Sequence, residues 1–401
     1  MIAPTATLDA AAAHVWDALV VGAGPAGALA ARQAALAGKR VLLVDSRSFP
    51  RAKVCGACLN GQALAVLKSV GLGTLSQSLG GVPLDRFDVR SQGRGVQVAL
   101  PEGIAVSRLC FDAALVQAAV AADTAFLPET FASLGDIAGT GGNECRIVTL
   151  RYRDGSPVET RARVVLAADG LAHASLREHE EFSSRVAAGS RIGLGGQVSD
   201  YPIEYGPGTI FMAVSRHGYA GLVRVEDRLL NVAAAVAPDF VRGAGGPPQA
   251  LAAVLHEAGF PPIPALAAAD WHGTLPLTRR THRTAARRIL LLGDAAGYVE
   301  PFTGEGMAWA FAAAAASTPF VERGLANWDV ALEDDWHATL RRLVLRRQRW
   351  CRALAWALRH PLAIRLVMGT VSLVPSLAAP IVRGLNKPPV RSPAFRRPVS
   401  S

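Results

Sequence analysis

The chain has 401 residues, half of them hydrophobic, and a formal net charge of +10 at pH 7. This length suits two closely joined domains with a large buried core. The five cysteines form no disulfide framework, and no run of about 18 uninterrupted apolar residues is present to span a bilayer. These features argue against a disulfide-stapled secreted scaffold and a membrane-spanning protein, so we expect a cytoplasmic α/β enzyme.

The positive charge is concentrated in the C-terminal part of the chain. From Trp336 to Ser401 there are 13 Lys and Arg residues and no Asp or Glu, whereas the remaining chain has 29 basic and 32 acidic residues. No nucleic-acid recognition motif accompanies this charge, and we expect no nucleic-acid partner. We predict a basic helical segment over 331–401. It fits peripheral contact with an anionic membrane surface, contact with an acidic partner, or a solvated helix packed on the rest of the protein.

The first predicted elements form a strand–helix–strand unit. Residues 1–15, which precede it, lack the basic region of a secretory signal and are predicted to be a loose extension. Residues 17–21 form a short buried strand in this prediction, 28–37 an Ala-rich helix and 41–44 a second apolar strand. The sequence between the first strand and the helix is Gly22-Ala23-Gly24-Pro25-Ala26-Gly27, a GxGxxG motif.

Each glycine of this motif has a physical role in dinucleotide binding. Gly22 permits a tight turn, Gly24 lets the backbone approach a pyrophosphate, and Gly27 lets helix and strand pack closely. The helix N-terminus offers free N–H groups and a partial positive charge to the phosphates. Asp45 ends the second strand 18 residues after Gly27, where a carboxylate accepts hydrogen bonds from a ribose 2′-OH. Strand, glycines, helix and acid together indicate a dinucleotide-binding unit.

The loop after this unit contains Cys55 and Cys58, which form a single CxxC. A zinc site needs a second pair of ligands, which the sequence lacks, so we expect no metal. The alternative to a functional pair is two unrelated thiols in a loop. A helix is predicted to follow near residues 60–70.

Two regions with β character interrupt the α/β pattern. Residues 85–100 alternate apolar and polar side chains, and 189–272 contain scattered strands and turns, which indicates a second, mostly β domain. We therefore predict a Rossmann-like domain with a β substrate domain inserted in it and a helical segment at the end. The predicted boundaries are 1–84, 101–188 and 273–330 for the first domain, 85–100 and 189–272 for the second, and 331–401 for the segment.

Two further motifs follow predicted buried strands. Asp169-Gly170 ends one strand, and Gly293-Asp294 ends another, followed by the segment Pro301-Phe302-Thr303-Gly304-Glu305-Gly306-Met307 and a helix. With the GxGxxG unit, these motifs resemble the FAD-binding flavoprotein group that contains aromatic hydroxylases, geranylgeranyl reductases and flavin halogenases. The segment 47–56, with a Pro-Arg-x-Lys-x-Cys-Gly core, most resembles the geranylgeranyl reductase branch.

The resemblance implies a bound FAD, with NADPH or NADH as a transient reductant, because no second GxGxxG is present. A carboxylate at Asp294 can hold a ribityl hydroxyl, and the helix near Gly304 can stabilise negative charge on reduced flavin. Arg108 either pairs with a phosphate or is a surface arginine. The residues predicted to bind FAD are Gly22, Gly24, Pro25, Ala26, Gly27, Asp45, Ser46, Arg47, Arg51, Cys55, Gly56, Arg108, Asp169, Gly170, Gly293, Asp294, Pro301, Gly304, Glu305, Gly306 and Met307.

Four residues are candidates for catalysis. By resemblance Cys55 lies near the flavin, where a thiol can position substrate or donate a proton; an inert buried cysteine is the alternative. Three interpretations remain for Lys53 and Arg51. They line the flavin, they bind a nicotinamide phosphate, or they belong to a solvated loop. Tyr219 and also His217 are candidates for the base that a phenolic substrate would need.

Two absences bear on the reaction. Flavin halogenases carry a Trp-x-Trp pair, which this chain lacks, and residues 218–224 depart from the Tyr-x-Trp-x-Phe-Pro pattern of the reductase branch. Our leading hypothesis is an NAD(P)H-dependent monooxygenase that hydroxylates a hydrophobic aromatic or polyketide-type substrate through a flavin C4a-hydroperoxide. The alternatives are a geranylgeranyl reductase-like enzyme acting on C=C bonds of a prenyl or lipid chain, and a flavin electron-transfer protein.

Overall fold

The structure is a computed structural model, and it describes residues 1–300, 302, 304–345, 348, 349 and 351. The strands in this part of the chain are β1 (Val15–Val21), β2 (Val41–Val44), β3 (Cys58–Asn60), β4 (Val82–Pro83), β5 (Arg86–Ser91), β6 (Arg94–Ala99), β7 (Gly103–Ala105), β8 (Ala125–Leu127), β9 (Thr130–Ala138), β10 (Cys145–Tyr152), β11 (Val158–Ala167), β12 (Ser184–Val186), β13 (Ile192–Val198), β14 (Thr209–Ser215), β15 (Gly218–Arg224), β16 (Leu230–Val236), β17 (His272–Pro276), β18 (Arg279–Thr281), β19 (Ala285–Ala286) and β20 (Ile289–Leu291). The helices are α1 (Leu8–Ala12), α2 (Pro25–Leu36), α3 (Gly61–Ser69), α4 (Leu75–Ser78), α5 (Arg108–Val120), α6 (Pro238–Ala244), α7 (Pro247–Ala258), α8 (Gly306–Ala326) and α9 (Val330–Leu340).

The first sheet is Rossmann-like, as predicted. Strands β8, β2, β1, β11 and β20 are parallel neighbours, and the antiparallel strands β9, β10 and β19 extend it. All four residues of β2 are buried, as expected for a parallel strand covered on both faces. Helices α2, α5 and α8 contribute to the core on one face. The predicted α/β fold class is confirmed.

The second sheet has seven strands in the order β17, β13, β16, β15, β14, β5 and β6. Strands β5 and β6 come from residues 85–100, and the other five come from 189–276. Helices α6 and α7 cover one face of this sheet, where Leu251 and Leu255 pack against Leu222 and Val232. On the opposite face, Met212, Tyr219 and their neighbours pack against Phe302, which precedes α8. This face therefore lies toward the first domain.

The prediction that residues 1–15 form a loose extension is wrong. Thr7 caps α1, and Ala11 on this helix is fully buried. The backbone N–H of Ile2 donates to the carbonyl of Phe49 at 2.8 Å, and the indole N–H of Trp16 donates to the carbonyl of Ala11 at 3.0 Å. Tertiary partners far along the chain hold this segment, and its own sequence pattern contains no sign of them.

The described part of the C-terminal segment packs on α8. Trp336, Leu340 and Val344 are buried in the first core, whereas Arg341 and Arg342 are exposed. In this stretch the apolar side chains thus pack on the domain, and the two arginines face solvent. The rest of the predicted segment, apart from residues 348, 349 and 351, lies outside the described residues. No helix among the described residues combines the length and apolarity needed to cross a bilayer.

Candidate functional site

The carboxyl ends of β1, β2, β11 and β20 meet at one edge of the first sheet, and the predicted motifs follow these strands. Gly22 has a φ of 97°, and a Cβ on it would lie 2.4 Å from the carbonyl oxygen of Ala168. A Cβ on Gly27 would lie 1.8 Å from the carbonyl oxygen of Gly22. Neither position admits a side chain, because backbone approaches backbone closely at both.

Gly24 differs from these two glycines because the space above it is open. A Cβ at this position would meet only the Nη2 atoms of Arg51 and Arg108, at 3.7 and 3.8 Å. Gly24 also caps the N-terminus of α2, which begins with Pro25. The Nε of Arg51 is buried and has no hydrogen-bond partner among the described residues. Two guanidinium groups beside a helix N-terminus form a cradle that fits a pyrophosphate.

Asp112 holds both arginines of this cradle. It is fully buried on α5, and its two oxygens accept hydrogen bonds of 2.6 Å from Nε and Nη2 of Arg108. The Nη1 of Arg51 lies 3.7 Å from Oδ2 of the same carboxylate. Burial acts to lower the pKa of Arg108, but Asp112 raises that pKa overall, so the guanidinium stays charged. Sequence reasoning missed Asp112, although its spacing of four residues from Arg108 in a predicted helix was a usable signal.

Asp45 closes the fingerprint turn from the end of β2. Its Oδ2 accepts a 2.7 Å hydrogen bond from the N–H of Ala23, and its Oδ1 accepts one of 2.9 Å from the N–H of Arg47. Arg51 lies 3.6 Å from the same carboxylate. The carboxylate is therefore engaged with the loop backbone at the place predicted for a ribose. The side chains of Ser46 and Arg47 are exposed beside it.

Lys53 and Asp294 line the cleft next to the cradle. The Lys53 side chain is accessible to solvent although protein atoms surround it, which is the situation of a group on a cleft wall. Burial, followed by the charges of Arg51 and Arg108, lowers the pKa of Lys53, and Asp294 opposes this shift. Burial raises the pKa of Asp294, and Lys53 and Arg108 oppose that shift in turn. The opposite charges thus stabilise each other in the cleft.

The second sheet positions the loop that carries Cys55. The side-chain amide of Asn231, on β16, donates a 2.9 Å hydrogen bond to the carbonyl oxygen of Cys55. A Cβ on Gly195, in β13, would lie 3.2 Å from Val54, so this glycine lets the loop approach the strand. Arg108 interacts with the Cys55 thiol.

Cys58, the other cysteine of the CxxC, has a different environment. Its Sγ donates a 3.0 Å hydrogen bond to the carbonyl of Gly56, and burial raises the pKa of Cys58. A Cβ on Gly304 would lie 3.6 Å from the Cβ of Cys58, so the thiol lies under the loop before α8. Gly56 is exposed, with open space at its Cβ position. No cluster of potential metal ligands occurs among the described residues.

The Asp169-Gly170 motif lies at the same edge. Oδ2 of Asp169 accepts hydrogen bonds of 2.9 Å from both the N–H and the hydroxyl of Ser175, so this carboxylate shapes the loop after β11. Gly170 has a φ of 73°, and a Cβ on it would lie 3.9 Å from Nζ of Lys53. The motif therefore borders the cleft through Gly170.

The segment after β20 completes the site. A Cβ on Gly293 would lie 3.0 Å from the Cβ of Ala26, so this turn rests on α2. Glu305 is buried before the first turn of α8, and its Oε2 accepts a 2.8 Å hydrogen bond from Sγ of Cys351. The side chain of Met307 is buried in the core, and Gly306 is partly exposed. The predicted site residue Pro301 lies outside the described residues.

The structure separates the two candidate bases. The Tyr219 ring makes an edge-to-face contact with Phe302 at 5.1 Å between centroids, and Phe302 contacts Phe87 at 6.0 Å. This apolar group faces the loop before α8. The His217 ring instead stacks on Phe240 of α6 at 4.0 Å. Tyr219 is therefore the candidate that lies on the cleft side of the second sheet.

A buried ion pair joins the two domains near Tyr219, and sequence reasoning missed it. Nη1 of Arg191, just before β13, lies 3.3 Å from Oε1 of Glu300, and both side chains are almost fully buried. The Arg191 guanidinium also lies 5.6 Å from the centre of the Tyr219 ring. No spacing rule connects these residues, because they are 109 positions apart.

Residues 16–179 match the FAD binding domain family. The matched range includes the glycine turn, the arginine cradle and Asp169. The chain therefore carries an FAD-binding domain, and it is an FAD-dependent oxidoreductase. Among its relatives, a menaquinone reductase of Mycobacterium tuberculosis is 36% identical over 162 residues, which cover 38% of this chain and 37% of that protein. A digeranylgeranylglycerophospholipid reductase 1 of Methanothermobacter thermautotrophicus is 28% identical over 322 residues, which cover 73% of each chain.

Solved structures share the fold of this flavoprotein. The flavin-dependent brominase Bmp2 has a TM-score of 0.75 and 16% identity, and the match covers 93% of this chain and 94% of that one. PqsL of P. aeruginosa, solved in complex with 2-aminobenzoylacetate, has a TM-score of 0.68 and 20% identity, covering 87% and 98% of the two chains. At these identities the likeness shows a common architecture for the two sheets.

We predict that Asp294→Ala weakens FAD binding by about ten- to a hundredfold. The substitution removes the carboxylate at the cleft wall that is placed to accept a hydrogen bond from the cofactor, and a charge-assisted bond contributes roughly 1.5–3 kcal/mol. Titration of the apo-protein with FAD measures the change. Asp239→Ala, which removes an exposed carboxylate on α6, is the control and should bind FAD like the wild type. An unchanged dissociation constant for Asp294→Ala would place this residue outside the site.

Proposed function

We propose that this oxidoreductase reduces C=C bonds in the prenyl chain of a lipid. The observation that carries the proposal is the 28% identity to the digeranylgeranylglycerophospholipid reductase 1 of Methanothermobacter thermautotrophicus over 322 residues. The family match ends at residue 179, so the similarity to this reductase continues beyond it. The mycobacterial relative also carries the name of a reductase, although its match covers little more than a third of that protein.

The cleft has groups suited to this reaction. Reduced FAD, when bound, supplies a hydride to one carbon of the double bond, and the other carbon needs a proton. Cys55 is the proton donor in this proposal, because its loop borders the cleft and the Arg108 guanidinium interacts with its thiol. Asn231 holds the backbone of Cys55, and the apolar group around Phe302 excludes water.

Flavin-dependent hydroxylation is the second candidate. Strand β15 supports it, because residues 218–224 lack the aromatic pattern of the reductase branch and Tyr219 occupies the cleft face instead. The two reactions differ in whether they need O₂. A reductase converts a polyprenyl lipid to a product with two more hydrogens per bond under anaerobic conditions. A monooxygenase consumes O₂ with its substrate and adds one oxygen atom.

The experiment uses the purified FAD-loaded protein with NADPH or NADH and a geranylgeranyl lipid, and follows the product by mass spectrometry. Hydrogenated product without O₂ supports the proposal, and Cys55→Ser should lower its rate while leaving FAD content unchanged. Substrate-dependent O₂ consumption with an oxygenated product would contradict the reductase proposal and support hydroxylation. Reduction by a partner flavoprotein without any organic product would indicate electron transfer.

A nicotinamide reductant is also part of the proposal. Lys53 and Arg51 present positive charge at the cleft, and an NADPH phosphate is an anion that they can bind. Stopped-flow absorbance of the bound FAD measures the rate of reduction by each nucleotide. Faster reduction by NADPH than by NADH, with the difference lost in Lys53→Gln, would support this role.

We further propose that the protein contacts an anionic membrane surface. Arg185 and Arg280 stand directly opposite each other on the paired strands β12 and β18, and both are exposed. Neither has an acidic partner among the described residues. Like charges at this spacing repel each other unless an anion lies nearby. Arg341 adds positive charge near this pair. It follows His337 by one helical turn, and His337 contacts Thr284, which is close to β18, at 3.2 Å.

We predict that replacing Arg185 and Arg280 together by Gln lowers binding to anionic vesicles roughly thirtyfold at low salt. Each basic residue near an anionic surface contributes about 1 kcal/mol. Co-sedimentation with phosphatidylglycerol vesicles measures this change in binding. Arg242→Gln is the matched control, because this exposed arginine already pairs with Asp239. This docking surface would be refuted if the double variant bound anionic vesicles as tightly as the wild type. It would also be refuted if the wild type bound neutral vesicles as tightly as anionic ones.

A further inference from the structure

The segment 298–302 runs from the turn after β20 toward α8, and its described side chains alternate between the two domains. Val299 is 2% exposed and packs in the core of the first domain. Glu300 and Phe302 lie on the opposite side of the backbone and contact the second domain. Alternate directions of successive side chains are typical of an extended chain. This segment is therefore held between the domains from both sides.

The charged contact of this segment is the ion pair of Glu300 with Arg191. The side chains of Arg191 and Glu300 are only 5% and 0% exposed, and Nη1 lies 3.3 Å from Oε1. The carbonyl of Arg191 accepts a 2.9 Å hydrogen bond from the N–H of Leu277, and the guanidinium lies 5.6 Å from the centre of the Tyr219 ring. Arg191 is thus fixed in the second domain, so the pair ties the position of Glu300 to that domain.

Stability alone does not explain a buried ion pair. Two charges leave water when the pair is buried, and their attraction offsets this loss only when the geometry is good. Apolar side chains of similar size often stabilise a fold at least as well. The ion pair differs from apolar packing because it is directional and holds one carboxylate at one place. This property suits a pair that positions a segment.

The segment 298–302 positions the first turn of α8. Phe302 precedes Gly306, the first residue of this 21-residue helix, by four positions. Its ring contacts Tyr219 with 5.1 Å between the centroids, which is a further link to the second domain. The N-terminus of a helix carries a partial positive charge, and the effect of this charge falls off within the first turn. A small displacement of the segment would therefore change the field that α8 exerts at the cleft.

We propose that Arg191 and Glu300 are positioning residues that hold the N-terminus of α8 in the place where it stabilises reduced FAD. Through the helix, the pair raises the reduction potential of the bound cofactor, because reduced flavin carries negative charge and oxidised flavin does not. The affinity for oxidised FAD depends mainly on the arginine cradle and is nearly independent of the pair. This inference goes beyond the proposed function, and it holds for any of the three candidate reactions.

The main test is Arg191→Met together with Glu300→Leu, because this double variant removes both charges and leaves neither unpaired. Reduced FAD should be stabilised about three- to tenfold less relative to oxidised FAD. For this two-electron couple, the reduction potential would fall by about 15–30 mV. Equilibrium reduction against a dye of known potential measures the change. The dissociation constant of oxidised FAD, titrated into the apo-protein, should stay close to the wild-type value.

The matched control is Arg90→Met together with Asp88→Leu. These side chains pair at 2.9 Å in the same sheet, and Asp88 is likewise almost fully buried. The Arg90 guanidinium lies over the ring of Phe260, which belongs to the helix-covered core of the second domain. The control variant therefore loses an ion pair on the other face of the sheet, and it should keep the wild-type reduction potential.

Glu300→Asp keeps both charges but shortens the arm that holds the segment, so it tests the proposal if the double variant does not fold. Its reduction potential should also fall, by less than that of the double variant. A wild-type potential in the folded double variant, or in Glu300→Asp when only that variant folds, would assign the pair to the fold alone. An equal fall in the control variant would attribute the change to loosening of the second domain. A large loss of affinity for oxidised FAD in the double variant would also overturn the proposal, because the pair would then act on cofactor binding.

Discussion

Gly24→Val is expected to give a folded protein that retains almost no FAD. A Cβ at this position meets no backbone and approaches only the ends of Arg51 and Arg108, at 3.7 and 3.8 Å. The fold can therefore accept the side chain. The added methyl groups would fill the space between the helix N-terminus and the two guanidinium groups, where we predict that the pyrophosphate binds.

Flavin absorbance per protein and circular dichroism measure the two halves of this prediction. Gly142→Val is the control, because the space around that glycine is open and its loop lies outside the motifs. Gly27→Ala should behave differently from Gly24→Val and lose folded protein, since its Cβ would lie 1.8 Å from a backbone oxygen. Normal FAD content in folded Gly24→Val would show that the cofactor binds elsewhere.

Asp112→Asn is expected to lower the free energy of unfolding of the FAD-free protein by about 3–5 kcal/mol. The substitution leaves the shape nearly unchanged but removes the buried carboxylate that holds Arg108 at 2.6 Å and Arg51 at 3.7 Å. Arg108 would then remain in the cradle without its anion, and Arg51 would keep only Asp45. Added FAD should restore part of the loss, because its pyrophosphate brings negative charge to the same groups and binds only the folded state.

Thermal unfolding with and without FAD tests this prediction, and Asp88→Asn is its matched control. Asp88 is also buried and pairs with Arg90 at 2.9 Å, but in the second sheet. Both variants should be less stable than the wild type, and FAD should raise the melting temperature of Asp112→Asn more than that of Asp88→Asn. Similar shifts in the two variants would separate Asp112 from the cofactor site.

The glycine turn, the first strands and the position of the motifs at strand ends could be predicted from the sequence because their signals are local. Gly22 and Gly27 stand at fixed positions between a buried strand and an Ala-rich helix, and the short apolar run of β2 is the pattern of a parallel strand. Parallel strands bring their carboxyl ends to one edge, so the motifs that follow them must converge there. The extension before Trp16 was the local prediction that failed, because contacts with distant residues such as Phe49 help to order it.

Only the tertiary structure decided the contacts that join distant parts of the chain. Asn231 reaches Cys55 across 176 positions, and Arg191 reaches Glu300 across 109. Neither distance corresponds to a helix or strand period, so no pattern within one element could reveal these pairs. The loop that carries Cys55 becomes part of the cleft because a strand of the second sheet approaches it closely. Short motifs thus predict the cofactor site, but folding of both domains is needed to bring the Cys55 loop and the apolar group around Phe302 to the same cleft.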